Sequence, residues 1–238
     1  MGAAVASSPR EDLQEASRML EGRPAQEILR WAVERYQPRL TMATAFGAEG
    51  CVLISMLAEI DPTVRIFNLE TGYQFPETLA LRDRIRERYG IEVELVRADE
   101  SVEQMEARFG GPIYHVRPDE CCRIRKIEPL LKAVAGFDAW ISAIRREQTP
   151  DRSRAGIVEW DRKFQLVKIN PLAAWTRRDV WQHIQDHDIP YNPLHDRGYP
   201  SIGCWPCTRP VAPGEAERSG RWVGFARVEC GLHSRDQA

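Results

Sequence analysis

The chain has 238 residues, enough for one fully cored domain or for one domain with an added functional segment. Its 33 Lys and Arg against 35 Asp and Glu give a net charge of -2, which excludes a broadly polyanion-binding surface, so no nucleic-acid partner is expected and any attraction for phosphate must be local. There is no long apolar span and residues 1–10 lack the features of a signal peptide, so a cytoplasmic protein with reduced thiols is expected.

Residues 1–10 read as disordered, and helical spacing follows at 11–21 (Leu13, Ala16, Leu20) and 24–36 (Ile28, Trp31, Ala32). Residues 40–46 form a buried strand ending at Gly47, 48–59 a helix, and 64–69 a second strand before the turn Thr71-Gly72. A helix over 75–89 tolerates Pro76 in its first turn and stops at Gly90. Further strands are predicted at 91–96, 139–144 and 165–169, and a helix at 176–185 whose Thr176 and Asp179 have capping-box spacing. Alternating strands and helices predict an α/β fold, an open parallel sheet with helices on both faces. From about Pro190, Pro, Gly, Cys and Arg dominate and the periodicity stops. The expected organisation is a disordered N-terminus at 1–10, one α/β domain at 11–212, and a mobile C-terminal functional segment at 213–238.

Five sequence features carry chemistry. The six cysteines are Cys51, the adjacent pair Cys121 and Cys122, Cys204 and Cys207 in Cys-Trp-Pro-Cys, and Cys230 in Glu229-Cys230-Gly231-Leu232-His233. Two clusters of two suit a metal or an iron–sulfur centre better than disulfides in a reducing compartment. Adjacent cysteines chelate a single zinc poorly, whereas in a cubane each can bind a different iron, which favours a four-iron cluster over zinc. Cys230 stands outside both clusters, after Arg218 and Arg221, in a polar setting that suits a reactive thiolate; Cys51 reads as core. Thr44-Ala45-Phe46-Gly47-Ala48-Glu49-Gly50 and Leu69-Glu70-Thr71-Gly72 follow successive strands, and such loops face one crevice in an open α/β sheet. A tight packing turn explains either loop nearly as well. Arg145, Arg146, Arg152, Arg218 and Arg221 offer forks for phosphate or sulfate oxygens. His183, His187 and His195 lack ligand spacing and read as ordinary.

Taken together, the Cys-Cys-x-x-Arg-Lys run at 121–126, the Ile-Arg-Arg-Glu-Gln-Thr-Pro run at 144–150, and the runs beginning at Asn170, Tyr191, Cys204 and Gly214 resemble the assimilatory adenosine 5′-phosphosulfate (APS) reductases. These belong to the APS/PAPS reductase family, and the resemblance spans residues 40–233. It implies an adenine nucleotide alpha hydrolase-like (ATP pyrophosphatase-like) fold, with Cys121, Cys122, Cys204 and Cys207 holding a [4Fe-4S] cluster and Cys230 as nucleophile. Substrate contacts are implied for Thr44, Phe46, Gly47, Leu69, Thr71, Lys126, Arg145, Arg152, Arg218, Arg221 and His233. The implied reaction is thiol-dependent reduction of APS to sulfite and AMP in sulfate assimilation and cysteine biosynthesis. It passes through a Cys230 thiosulfonate, with thioredoxin or a glutaredoxin-like dithiol protein as reductant. The alternatives are a reductase of phosphoadenylyl sulfate (PAPS) or of both, a thiolation enzyme of the ATP pyrophosphatase type, and a cluster-bearing nucleotide sensor. Association into a homo-oligomer is left open.

Overall fold

A computed structural model describes residues 9–225, 229, 231 and 232. Two helices, α1 (Pro9–Leu20) and α2 (Ala25–Tyr36), precede the sheet. The core then alternates: β1 (Leu40–Thr44), α3 (Ala48–Ile60), β2 (Arg65–Glu70), α4 (Pro76–Tyr89), β3 (Val93–Arg97). After α5 (Val102–Phe109), one continuous rod is built from α6 (Pro118–Cys122), a π-helical turn (Arg123–Ile127) and α7 (Glu128–Val134). It leads into β4 (Ala139–Ile141), β5 (Val158–Asp161), β6 (Leu166–Ile169) and α8 (Arg177–Asp186). No helix among the described residues is long and apolar enough to cross a membrane.

The sheet order is β3-β2-β1-β4-β6-β5. Strands β1, β2, β3, β4 and β6 are parallel, while β5 pairs antiparallel with β6 at the edge. The expected open parallel sheet is present, with one antiparallel strand added at its edge. Asp161 accepts from the backbone N–H of Lys163 and Phe164, and Gln165 adopts φ +56, which closes a tight hairpin rather than a helical crossover. Because α3 lies deep in the core, nearly all of its residues from Ala48 to Leu57 are buried, and it reads as apolar all round.

The chain runs outward from β1 through β2 to β3, then returns to the other side of β1 as β4. Between β1 and β4 the winding direction switches, and loops leaving the C-terminal ends of such strands diverge to leave a crevice.

Candidate active site

A cleft of about 220 Å³ opens at that switch point. Its floor is made by the segments that follow β1 (Thr44, Gly47, Glu49), β2 (Leu69, Thr71) and β4 (Ser142, Ile144). Lys126, Arg152, Arg218 and Arg221 line it as well, with Glu217, Glu229 and Leu232 from the C-terminal segment.

Each wall has a local cause. Thr44 Oγ1 accepts from the N–H of Phe46 at 3.0 Å, which holds Phe46 at φ +53. An added Cβ on Gly50 would come within 2.6 Å of Thr44 Oγ1, so only glycine lets α3 approach β1 this closely. No side chain caps the start of α3, so its first N–H groups have no capping partner where Gly47, Ala48 and Glu49 line the cleft. Asn68 donates to the Thr44 carbonyl at 2.8 Å and ties the ends of β1 and β2 together. Arg125, buried, donates from Nε to the Thr71 carbonyl at 2.7 Å and from Nη1 to the Glu100 carbonyl at 2.6 Å.

The four cysteines of the two clusters come together. Cys121, Cys122, Cys204 and Cys207 wall one small cavity beside the cleft, with Tyr73 and Lys126. Lys126 lines both spaces, and Thr71 Oγ1 lies 3.3 Å from Cys204 Sγ. The Cys121 thiol is pushed up to about 12, first by burial and then by the charges that Cys122, Cys204 and Cys207 would carry. Burial, then Cys204, pushes Cys207 up to about 11, with Lys126 opposing. No group of three or more His, Cys, Asp and Glu side chains among the described residues is spaced to hold a metal ion. Four soft thiols around one cavity nevertheless match the donor set of an iron–sulfur centre. Cys51 is buried core, its thiol pushed up to about 12 by burial.

The arginines divide by role. Arg218 and Arg221 face the cleft; both approach Ser201 Oγ at 3.3 Å. Arg145 does not line it. Its fully buried guanidinium is bound by Glu49, Glu147 and Glu217, so the substrate contact expected for it gives way to a structural one. Arg146 pairs with Glu21 at 2.6 and 2.7 Å. Arg152 lines the cleft, but its donors go to Gln148 and Glu229. Phe46 is buried outside the lining, whereas Thr44, Gly47, Leu69, Thr71 and Lys126 are in it. Cys230 and His233 lie outside the described residues.

Sequence reasoning missed His195. It lines the cleft, its Nδ1 sits 2.8 Å from the Tyr199 carbonyl, and its Nε2 is buried without a hydrogen-bond partner. Burial holds its pKa below the usual value, so Nδ1 carries the proton and Nε2 presents a lone pair. Gln74 Oε1 and Arg221 Nε are likewise buried and unpartnered in the same lining. Buried polar atoms without partners are rare, and three around one cleft are what a polar ligand would satisfy. Arg221 is a candidate from the sequence, but for His195 and Gln74 only the contacts of the folded chain reveal the unpartnered lone pairs.

Gly203 gives one test. A Cβ there would meet Arg221 Nη2 at 2.2 Å. Gly203→Ala should therefore push the guanidinium out of the cleft and raise KM by about tenfold with little change in Tm. An unchanged KM in steady-state kinetics would show that Arg221 does not contact substrate.

Residues 39–210 match the phosphoadenosine phosphosulfate reductase domain family. A phosphoadenosine 5′-phosphosulfate reductase of Gloeobacter violaceus is 48% identical, covering 93% of both chains. An adenosine 5′-phosphosulfate reductase of Shouchella clausii is 42% identical over 94% of this chain and 93% of that one. The solved phosphoadenylyl-sulfate reductase of Candida auris superposes with a TM-score of 0.76 at 29% identity, covering 87% of this chain and 100% of its own. An FMN adenylyltransferase of Candida glabrata (TM-score 0.59, 17% identity, 87% and 69% covered) shares the fold alone. The architecture is the expected adenine nucleotide alpha hydrolase-like one, with its sheet mostly parallel.

Proposed function

The chain belongs to the phosphoadenosine phosphosulfate reductase domain family, and on that premise we propose that it reduces APS to sulfite and AMP with Cys230 as the attacking thiolate. The observation that carries this reading is the reach of the C-terminal segment: Glu229 and Leu232, on either side of Cys230 in sequence, both line the cleft.

The nucleotide lies along the loops after β1 and β2, with its phosphosulfate toward Lys126, Arg218 and Arg221. These cations offset the repulsion between a thiolate and an anionic sulfate, and most of the catalysis is charge placement and positioning. Cys230 sulfur forms a bond to the sulfate sulfur as the S–O bond to AMP breaks, and AMP leaves as a stable anion. The enzyme then holds Cys230–S–SO₃⁻. A dithiol protein of the thioredoxin class attacks the Cys230 sulfur, releases sulfite, and ends as a disulfide once the mixed disulfide resolves. Two electrons pass from the dithiol to sulfur, and Cys230 returns as a thiol.

Cys121, Cys122, Cys204 and Cys207 would hold a [4Fe-4S] cluster, which would supply electrostatic polarisation beside the cleft. Lys126, shared between the two spaces, carries charge toward the substrate side.

PAPS is the second reading, because the Gloeobacter violaceus relative is named for it. The lining weighs against it: Glu49 and Glu217 stand in the cleft, and Arg152 is bound to Glu229. With Lys126, Arg218 and Arg221 engaged by the phosphosulfate in this reading, an extra phosphate would be buried with no uncommitted cation left among the described lining residues. With purified protein and thioredoxin, kcat/KM for APS should exceed that for PAPS by about a hundredfold. Equal values would place PAPS alongside APS as a substrate.

A further inference from the structure

The polypeptide is gripped on both sides of Cys230, chiefly by Arg152 and Lys163, which the reaction above does not use. On the N-terminal side, Arg152 meets Glu229 in a two-point ion pair, Nε to Oε1 and Nη2 to Oε2, each at 2.7 Å. Thr149 donates its hydroxyl to Oε1 at 3.1 Å, and Arg218 Nη2 lies 3.5 Å from Oε2. The Glu229 side chain is 4% exposed and that of Arg152 8%. Burial opposes ionisation of Glu229, but the Arg152 hydrogen bonds and the charges of Arg152 and Arg218 outweigh it and hold the carboxyl below its ordinary value. On the C-terminal side, Lys163 donates from Nζ to the Gly231 carbonyl at 2.7 Å. Leu232 packs against the apolar cluster that includes Phe67, Leu130 and Trp140.

A buried ion pair is a poor source of net stability, because both ions give up hydration. It is an effective way to fix a backbone in one place, since a two-point guanidinium–carboxylate contact sets both distance and angle. Lys163 acts on a main-chain atom, so its grip does not depend on which side chain follows.

We propose that Glu229 and Lys163 are positioning residues that hold the polypeptide on either side of Cys230 against the cleft, Glu229 through Arg152 and Lys163 through the Gly231 carbonyl. The inference rests on Cys230 being the nucleophile. Arg152 is then an anchor for the enzyme's own chain, which accounts for its donors being occupied. Losing either grip leaves the nucleotide site intact and lowers the fraction of time the thiol is aimed at sulfur.

The test uses full-length, cluster-loaded enzyme with Glu229→Gln, Glu229→Asp or Lys163→Met. Three quantities are measured: AMP affinity, the single-turnover rate of AMP release from APS without dithiol, and the rate at which iodoacetamide alkylates Cys230, mapped by peptide mass. AMP affinity should not fall in any of the three. Glu229→Gln and Lys163→Met should slow single turnover by about 10- to 100-fold and speed Cys230 alkylation. Glu229→Asp, which keeps the charge, should recover part of the loss. If Glu229→Gln does not fold, Lys163→Met, outside the buried pair, decides alone. Wild-type rates of turnover and alkylation would overturn the proposal, as would a fall in AMP affinity parallel to the fall in rate. Cys230→Ser, run alongside, separates the two ideas. If it still turns over, the nucleophile assignment fails. If it is dead while the other variants match wild type, only the positioning roles fail.

Discussion

Serine in place of Cys230 should lower turnover of APS by at least about 10³-fold while leaving nucleotide binding and the visible spectrum unchanged. A serine hydroxyl is almost entirely protonated at neutral pH, whereas a thiol near cations is ionised to a useful extent. The cleft lining among the described residues has its polar groups on other side chains, so the binding of AMP has no need of the sulfur. Steady-state assays with thioredoxin, together with calorimetric titration of AMP, check both halves. Turnover within tenfold of wild type would move the nucleophile elsewhere.

The second large effect concerns the four grouped cysteines. Purified anaerobically, the protein should be brown, with a broad visible shoulder and about four iron and four sulfide per chain. Serine at Cys121, Cys122, Cys204 or Cys207 should bleach it and reduce activity by at least about 10²-fold. The physical reason lies in their crowding. Burial first, then the other three thiols, pushes Cys121 up to about 12, so without a cationic centre it is protonated at neutral pH. Loading must displace that proton, and reconstitution should therefore weaken as pH falls. Iron and sulfide analysis with visible spectroscopy reads this directly. A colourless, zinc-loaded and fully active protein would contradict it.

The parts of the fold written in periodicity were legible. The strand at 40–44 and the largely apolar helix after it are buried, and Gly90 ends α4 in the left-handed conformation that its position suggested (φ +68). Other elements hid for identifiable reasons. In β5, Val-Glu-Trp-Asp is a short edge strand with polar residues at alternate positions, too brief for a period to show. The start of α5 is marked in the sequence by Ser101 and Gln104, which form a capping box, but its eight residues show too little periodicity to stand out. The rod from Pro118 to Val134 carries Pro129, a residue that obscures a helix in sequence, directly after the π turn at the start of α7. Its π turn begins directly after Cys122, so the adjacent cysteines sit where the helix widens.

At the site, grouped cysteines and strand-end loops could be read because their chemistry depends on spacing. Pairing could not. Arg145, Arg152 and Arg218 look alike in sequence; only the carboxylates that surround them decide which is an anchor and which faces the cleft. His195 became visible as a candidate only through the Tyr199 carbonyl that fixes its tautomer.

The most direct measurement is to mix cluster-loaded enzyme with APS and no dithiol. One AMP per active site should be released and no sulfite. Intact mass should rise by one SO₃ group, carried on the peptide that contains Cys230, and adding thioredoxin should remove it and liberate sulfite. An adduct on a different cysteine, or sulfite released without any reductant, would contradict the account.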